Sequence, residues 1–148
     1  MKAENLMIGN WIYLIRESNK NNGKLEVTKV TPQRVTGIMT DTDHPCIQTD
    51  ATDTYYGEES YKPIPLTDEI LEKNGFEYNK EETEGNIQSI YKHYTRFFNF
   101  PFGRGFYIEH DTVDGIFWIS DHCWIKFKYV HEFQQILGLC KLNKKIEI

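Results

Sequence analysis

The chain has 148 residues, enough for one domain or for two small ones sharing a core, and its 39% apolar and 14% aromatic content excludes a wholly disordered state. A net charge of -5 removes any general electrostatic drive toward nucleic acid or an anionic membrane, since both need a positive face. The opening MKAENLMIGNW lacks the apolar run of a signal peptide, and no stretch nears the roughly 18 apolar residues of a membrane span, so the expectation is a soluble cytoplasmic protein with no membrane partner.

Gly9 to Arg16, GNWIYLIR, is β-branched and aromatic. Lys24 to Val30 alternates Leu25, Val27 and, slipping by one, Val30 against polar residues. The turn-forming ESNKNNG between them predicts a hairpin. Gln33 to Met39, after Pro32, reads as a third strand, so the first forty residues suggest a small curved antiparallel sheet, an SH3-like barrel if it closes. Residues 40–60 are a long polar connection interrupted by a short strand around Cys46 and Ile47, and they mark the place for a boundary between residues 1–60 and 61–148 of an otherwise single domain.

The segment YKPIPLTDEILEKNGF, Tyr61 to Phe76, is legible position by position. Pro63 and Pro65 hold the approach extended, Thr67 is placed to cap a short helix, and Leu66 and Leu71 have the spacing of a hydrophobic staple. Asp68 and Glu69 suit the positive end of the helix dipole and Lys73 the negative end, while Gly75 and Phe76 have the pattern of a Schellman stop. These features explain a boundary; none is a nucleophile, a base or a metal ligand.

Strands follow: FEYN, then an acidic turn KEETEGN, then IQSIYKHYTRFFNF, and a three-strand meander from Arg104 to Val130 with turns at Asp114-Gly115 and Ser120-Asp121-His122. In YVHEFQQILGLCKLN, Val130, Phe133, Leu137 and Cys140, widened by Ile136, predict an amphipathic helix on the sheet, weakened near Gly138. KKIEI reads as a tail or a short added strand. The fold class expected is α+β, with antiparallel sheets, one short helix and one longer C-terminal helix.

LMIGNWIY, YKPIPLTDEILEKNGF and YVHEFQQILGL, together roughly a quarter of the chain, resemble a group of small proteins of anaerobic gut bacteria, many in phages and mobile elements. In that group a strand beginning I-G-N, a K-P-I-P-L-T-x-E-x-L-x-K-x-G-F segment and a terminal Y-V-H-x-L-Q helix occur in the same order. The resemblance implies kinship and carries no activity and no site residues. Leu137-Gly138-Leu139-Cys140 departs from it, because aromatic residues continue the helix there.

His44, Cys46, His110, Asp111, Asp121, His122 and Cys123 are the residue types of zinc sites, but only His44-x-Cys46 approaches ligand spacing, and neighbours such as His122 and Cys123 face opposite sides of a strand. The three cysteines, Cys46, Cys123 and Cys140, are odd in number and far apart, as suits reduced thiols. No base is matched to a cysteine nucleophile, so no enzyme and no cofactor is expected. Asp41, Asp43, Asp50 and Asp53 fail the calcium-loop spacing, with Pro45 in the way, and Gly103-Arg104-Gly105 precedes a strand rather than a phosphate-binding helix.

One candidate surface remains: Trp124, Lys126 and Lys128 on the wet face of the last strand, with Arg104 and Arg96 on neighbouring segments. Aromatics interleaved with cations can stack bases and hold phosphates. The same pattern also serves to cover Trp124 and to keep an edge strand from aggregating. The leading expectation is a non-enzymatic protein that binds a protein partner, accessory to a phage or mobile element. The alternatives are a nucleic-acid-binding module on this face and a self-associating structural protein.

Overall fold

The computed structural model describes residues 1–19, 25–40, 43–84, 89–97, 105–119, 125–142 and 146–148. Among them are ten strands and two helices: β1 (Trp11–Asn19), β2 (Leu25–Met39), β3 (Cys46–Thr49), β4 (Thr52–Gly57), β5 (Tyr61–Pro63), α1 (Asp68–Lys73), β6 (Glu77–Glu84), β7 (Ser89–Phe97), β8 (Gly105–Asp111), β9 (Ile116–Ile119), β10 (Ile125–Phe127) and α2 (Val130–Leu139). The strands form two five-stranded antiparallel sheets, and the fold is α+β. The chain divides into two compact units: Met1–Pro65 with Tyr129–Lys144, and Leu66–Lys128 with Lys145–Ile148. The boundaries therefore fall at 65/66, 128/129 and 144/145, and the terminal helix belongs with the first sheet.

The first unit's sheet has the order β4-β3-β2-β1-β5. Where the sequence suggested two strands separated by Pro32, β2 is one strand of 15 residues. Its N-terminal part pairs only with β1, since β3 pairs only from Val35 to Met39, so the N–H that Pro32 lacks is missing where β2 has a neighbour on one side. The polar stretch expected as a connection forms β4, an edge strand with one wet side on which Tyr55 is 46% exposed.

The barrel expected here does not close. β4 and β5 are the two edges and do not pair. They are joined by a three-residue 3-10 turn, Glu58–Ser60. Four residue steps reach at most about 14 Å, whereas the outer strands of a flat five-stranded sheet lie about 19 Å apart, so the sheet must curl strongly. Its concave face holds Ile12, Val35, Ile47 and Tyr61, and Ala3 and Leu6 from the N-terminal segment pack with them, all at most 5% exposed. Outside this cluster, Arg34 lies over the ring of its cross-strand partner Trp11 at 4.6 Å.

α2 packs on β1. Val130, Phe133, Ile136 and Leu137 are buried as the periodicity predicts, and His131 is buried with them. Cys140 instead is the exposed C-cap. The helix stops there because Lys141 takes the left-handed conformation, φ 58°, and the N–H groups of Lys141 and Leu142 donate to the carbonyls of Gly138 and Leu137. Two glutamines fasten the helix to the N-terminal segment: Gln134 accepts from Trp11 N at 2.8 Å and donates to Gly9 O at 3.2 Å, and Gln135 donates to Asn5 O at 2.8 Å.

The second unit is a simple meander, β10-β9-β8-β7-β6. The stretch expected as an acidic turn is mostly strand: β6 runs to Glu84, paired with β7, and as an edge strand it keeps Lys80, Glu81 and Glu82 in solvent. α1 has the boundaries the sequence implies. Thr67 Oγ1 accepts from Ile70 N at 3.3 Å, and at the far end Gly75 (φ 75°) and Phe76 donate to Glu72 O and Leu71 O, the two bonds of a Schellman stop. The core face of the sheet carries Tyr94, Phe106, Ile108, Phe117, Ile119 and Phe127, each at most 8% exposed, with Phe76 set edge-on to Phe106 at 6.4 Å. Ile125 is 40% exposed although it shares parity with Phe127, a consequence of its place at the end of an edge strand.

The described part of the C-terminal tail, residues 146–148, forms no strand. Ile146 is 1% exposed, and Asn74 grips the backbone of Glu147 twice, Nδ2 donating to its carbonyl at 2.8 Å and Oδ1 accepting from its N–H at 2.9 Å. No helix among the described residues is long and apolar enough to cross a membrane.

Candidate functional site

In the second unit the antiparallel register lines up His93 with Glu109, Glu109 with Trp118 and Trp118 with Lys126, a row crossing β7 to β10 on the face opposite the core. Alternation places Tyr107 and Phe97 on the same side, 38% and 68% exposed. The row is wired by charge. Lys126 Nζ stands 4.5 Å from the centre of the Trp118 ring, a cation–π contact. His93 lies between two carboxylates, its Nε2 3.4 Å from Glu82 and its Nδ1 3.9 Å from Glu109, and Glu82 also pairs with Lys80.

The residues singled out from the sequence separate on this frame. Lys126 is in the row. Lys128, though exposed, reaches toward the β8–β9 turn, where Nζ donates to Asp114 O at 3.3 Å. Arg96 is on the other face: it pairs across β7 and β8 with Phe106, and its guanidinium lies 5.6 Å from the Phe76 ring. Trp124 and Arg104 lie outside the described residues. Among the described residues, the face alternates Lys80, Glu82, His93, Glu109 and Lys126, charges of both signs rather than converging cations.

On the core face, Asp68 at the start of α1 meets β7 and β8. Its Oδ1 is 2.6 Å from His110 Nδ1 and its Oδ2 2.7 Å from Lys92 Nζ. Burial acts most strongly on this carboxyl and pushes its pKa up, yet Lys92, His110 and Tyr94 together outweigh burial and hold it below the usual carboxylate range. Lys92 is held above its ordinary value, first by the bond to Asp68, and Tyr94 is pushed up, first by burial. The His110 ring stacks on Phe117, centroids 4.0 Å apart and planes 9° from parallel. A carboxylate filled by donors, a lysine kept protonated and a stacked imidazole form a tie between helix and sheet. The cluster offers neither an unprotonated lysine nucleophile nor a carboxyl poised near neutrality.

The remaining chemical candidates resolve individually. Asp111, 6% exposed, caps the β8–β9 turn, accepting from Val113 N at 2.9 Å. Asp50 accepts from Arg34 N at 2.9 Å. Cys46 and Cys140 are thiols in no disulfide. Asp41, Asp121, His122 and Cys123, with Gly103 of the glycine pair, lie outside the described residues. Among the described residues, no three His, Cys, Asp or Glu side chains converge as a metal site would require. Trp118 and Glu109 were missed although GIFWIS and FYIEHD carry the alternation that puts them, half-buried, on the outer face; the Asp68 cluster has no sequence signal, since its members are 24 and 42 residues from Asp68.

No family model matches the chain, and no curated protein and no solved structure matches it.

Proposed function

We infer that the chain is a non-enzymatic binding protein that takes a polypeptide partner on the outer face of the second sheet. The observation that carries this reading is the row His93, Glu109, Trp118, Lys126, continuous over four strands and flanked by the exposed rings of Tyr107 and Phe97. Aromatic rings supply contact area at low entropic cost, and interleaved charges of both signs fix the register of a partner with complementary side chains. The resemblance to small proteins of gut-bacterial phages and mobile elements makes an accessory of such an element the setting for that partner.

The test is affinity capture with immobilised wild-type chain, Trp118→Ala, Lys126→Glu and, as a control on the first sheet, Tyr55→Ala. A partner held by wild type and control and lost from both face variants supports the reading. Equal capture by all four overturns it. Oligonucleotide binding that falls steeply with salt and drops in Lys126→Glu replaces it with a nucleic-acid module. Turnover in a hydrolase screen that disappears in His110→Ala replaces it with an enzyme.

A further inference from the structure

In the second unit the segment Ile146–Ile148 is held at the C-terminal end of α1. Its main partner, Asn74, is a buried polar side chain that meets the segment through backbone alone: Nδ2 donates to Glu147 O at 2.8 Å and Oδ1 accepts from Glu147 N at 2.9 Å. A neighbouring β-strand would make the same pair of bonds to a residue opposite it. The helix end fixes the amide for this role, since Asn74 N bonds to Ile70 O and Leu71 O and Nδ2 also donates to Ile70 O at 2.7 Å. A third backbone contact comes from Lys73, whose Nζ donates to Ile148 O at 2.9 Å.

One side chain of the segment is enclosed: Ile146 is 1% exposed, whereas Glu147 is exposed and Ile148 partly so. Backbone bonds for affinity and an aliphatic pocket for selectivity are the features by which proteins recognise extended peptides. The groups that hold the segment stand 73 residues before it in the chain, so the same bonds and the same pocket would serve an identical segment carried by another chain. We propose that this place is a receptor for an extended polypeptide segment, closed in cis by the chain's own tail and open in trans to a partner presenting an isoleucine followed by two residues read through their backbone. Three hydrogen bonds and one enclosed side chain are a small anchorage beside the paired strands, so the tail opens without unfolding of the sheet. The site shares no residue with the aromatic row, and its test is independent of that face.

The probe is the peptide Lys-Ile-Glu-Ile, acetylated and amidated so that a carbonyl rather than a carboxylate meets Lys73. It is titrated into the ¹⁵N-labelled full-length chain, wild type and Ile146→Asp, the latter ejecting the tail because a carboxylate does not enter the aliphatic pocket. The Asn74 side-chain amide and the Gly75 and Phe76 backbone amides report. Saturable shifts are expected in Ile146→Asp, with an affinity about tenfold lower in wild type, where the tethered tail competes. An aspartate in place of the peptide's first isoleucine, or an N-methyl group on its glutamate that removes the N–H Asn74 accepts, should each cost about tenfold. A second measurement needs no variant and decides the matter if Ile146→Asp does not fold: in wild type the Glu147 amide should exchange with solvent at least about tenfold faster than the amides of β8, which has a strand on either side. No shift in Ile146→Asp, equal affinity in both chains, an equal response to either altered peptide, or a Glu147 amide as protected as β8 overturns the proposal. So does a wild-type dimer that the peptide dissociates, which would assign the site to the tail of a second copy.

Discussion

Replacing Asp68 by Asn leaves one acceptor where the carboxylate held His110 at 2.6 Å and Lys92 at 2.7 Å, and turns an amide donor toward the other of two donors. A charge-assisted hydrogen bond is worth about 1.5–3 kcal/mol, and because the Asp68 and Lys92 side chains are 18% and 32% exposed, the lower end applies. The expected cost is about 2 kcal/mol, a fall in Tm of about 4–8 °C for a chain of this size. The pH dependence follows from the direction of the shift. Burial raises the Asp68 pKa, Lys92, His110 and Tyr94 more than reverse it, and the folded value lies below the unfolded one. The contribution is therefore complete above the ordinary carboxylate value near pH 4 and is lost as pH falls through the folded value. Urea denaturation of wild type and Asp68→Asn should show the full deficit at pH 7 and a shrinking one below about pH 4. Equal stability at pH 7, or a deficit that stays constant down to pH 2.5, would refute the role assigned to this carboxylate.

The helix stops give a matched pair. Lys141 has φ 58° without being glycine, so Lys141→Gly should stabilise the chain by about 0.5–1 kcal/mol, read as a shift in denaturation midpoint at unchanged slope. Gly75→Ala should cost about 1 kcal/mol; the added Cβ meets Arg96 no closer than 3.5 Å, so the loss is backbone strain, and a neutral result would contradict the left-handed stop. Asn74→Ala removes both bonds to Glu147 and should cost about 1–3 kcal/mol, with faster hydrogen exchange at the Glu147 amide as its local signature. Phe133→Ala, at 0% exposure in α2, should cost about 3–5 kcal/mol by equilibrium denaturation, whereas Phe97→Ala, 68% exposed, should stay within about 0.5 kcal/mol of wild type.

What the sequence determined by itself is local in origin. Thr67, Gly75 and Phe76 set both ends of α1, Asp114-Gly115 sets the β8–β9 turn with Gly115 at φ 62°, and the spacing of Val130, Phe133 and Leu137 sets the buried side of α2, because each depends on backbone bonds or facing side chains within a few residues. The tertiary structure alone decided what depends on distant partners. Pro32 stays inside β2 because the strand has one neighbour there, KEETE becomes strand because β7 pairs with it, and Lys126 and Arg96 part to opposite faces because register, not proximity in sequence, assigns them. The same holds for the aromatic row, for Asp68 with His110, and for Asn74 with Glu147, 73 residues apart in the chain. Hydrogen-bonding periodicity is written residue by residue; which charge meets which ring is fixed only when the strands pair.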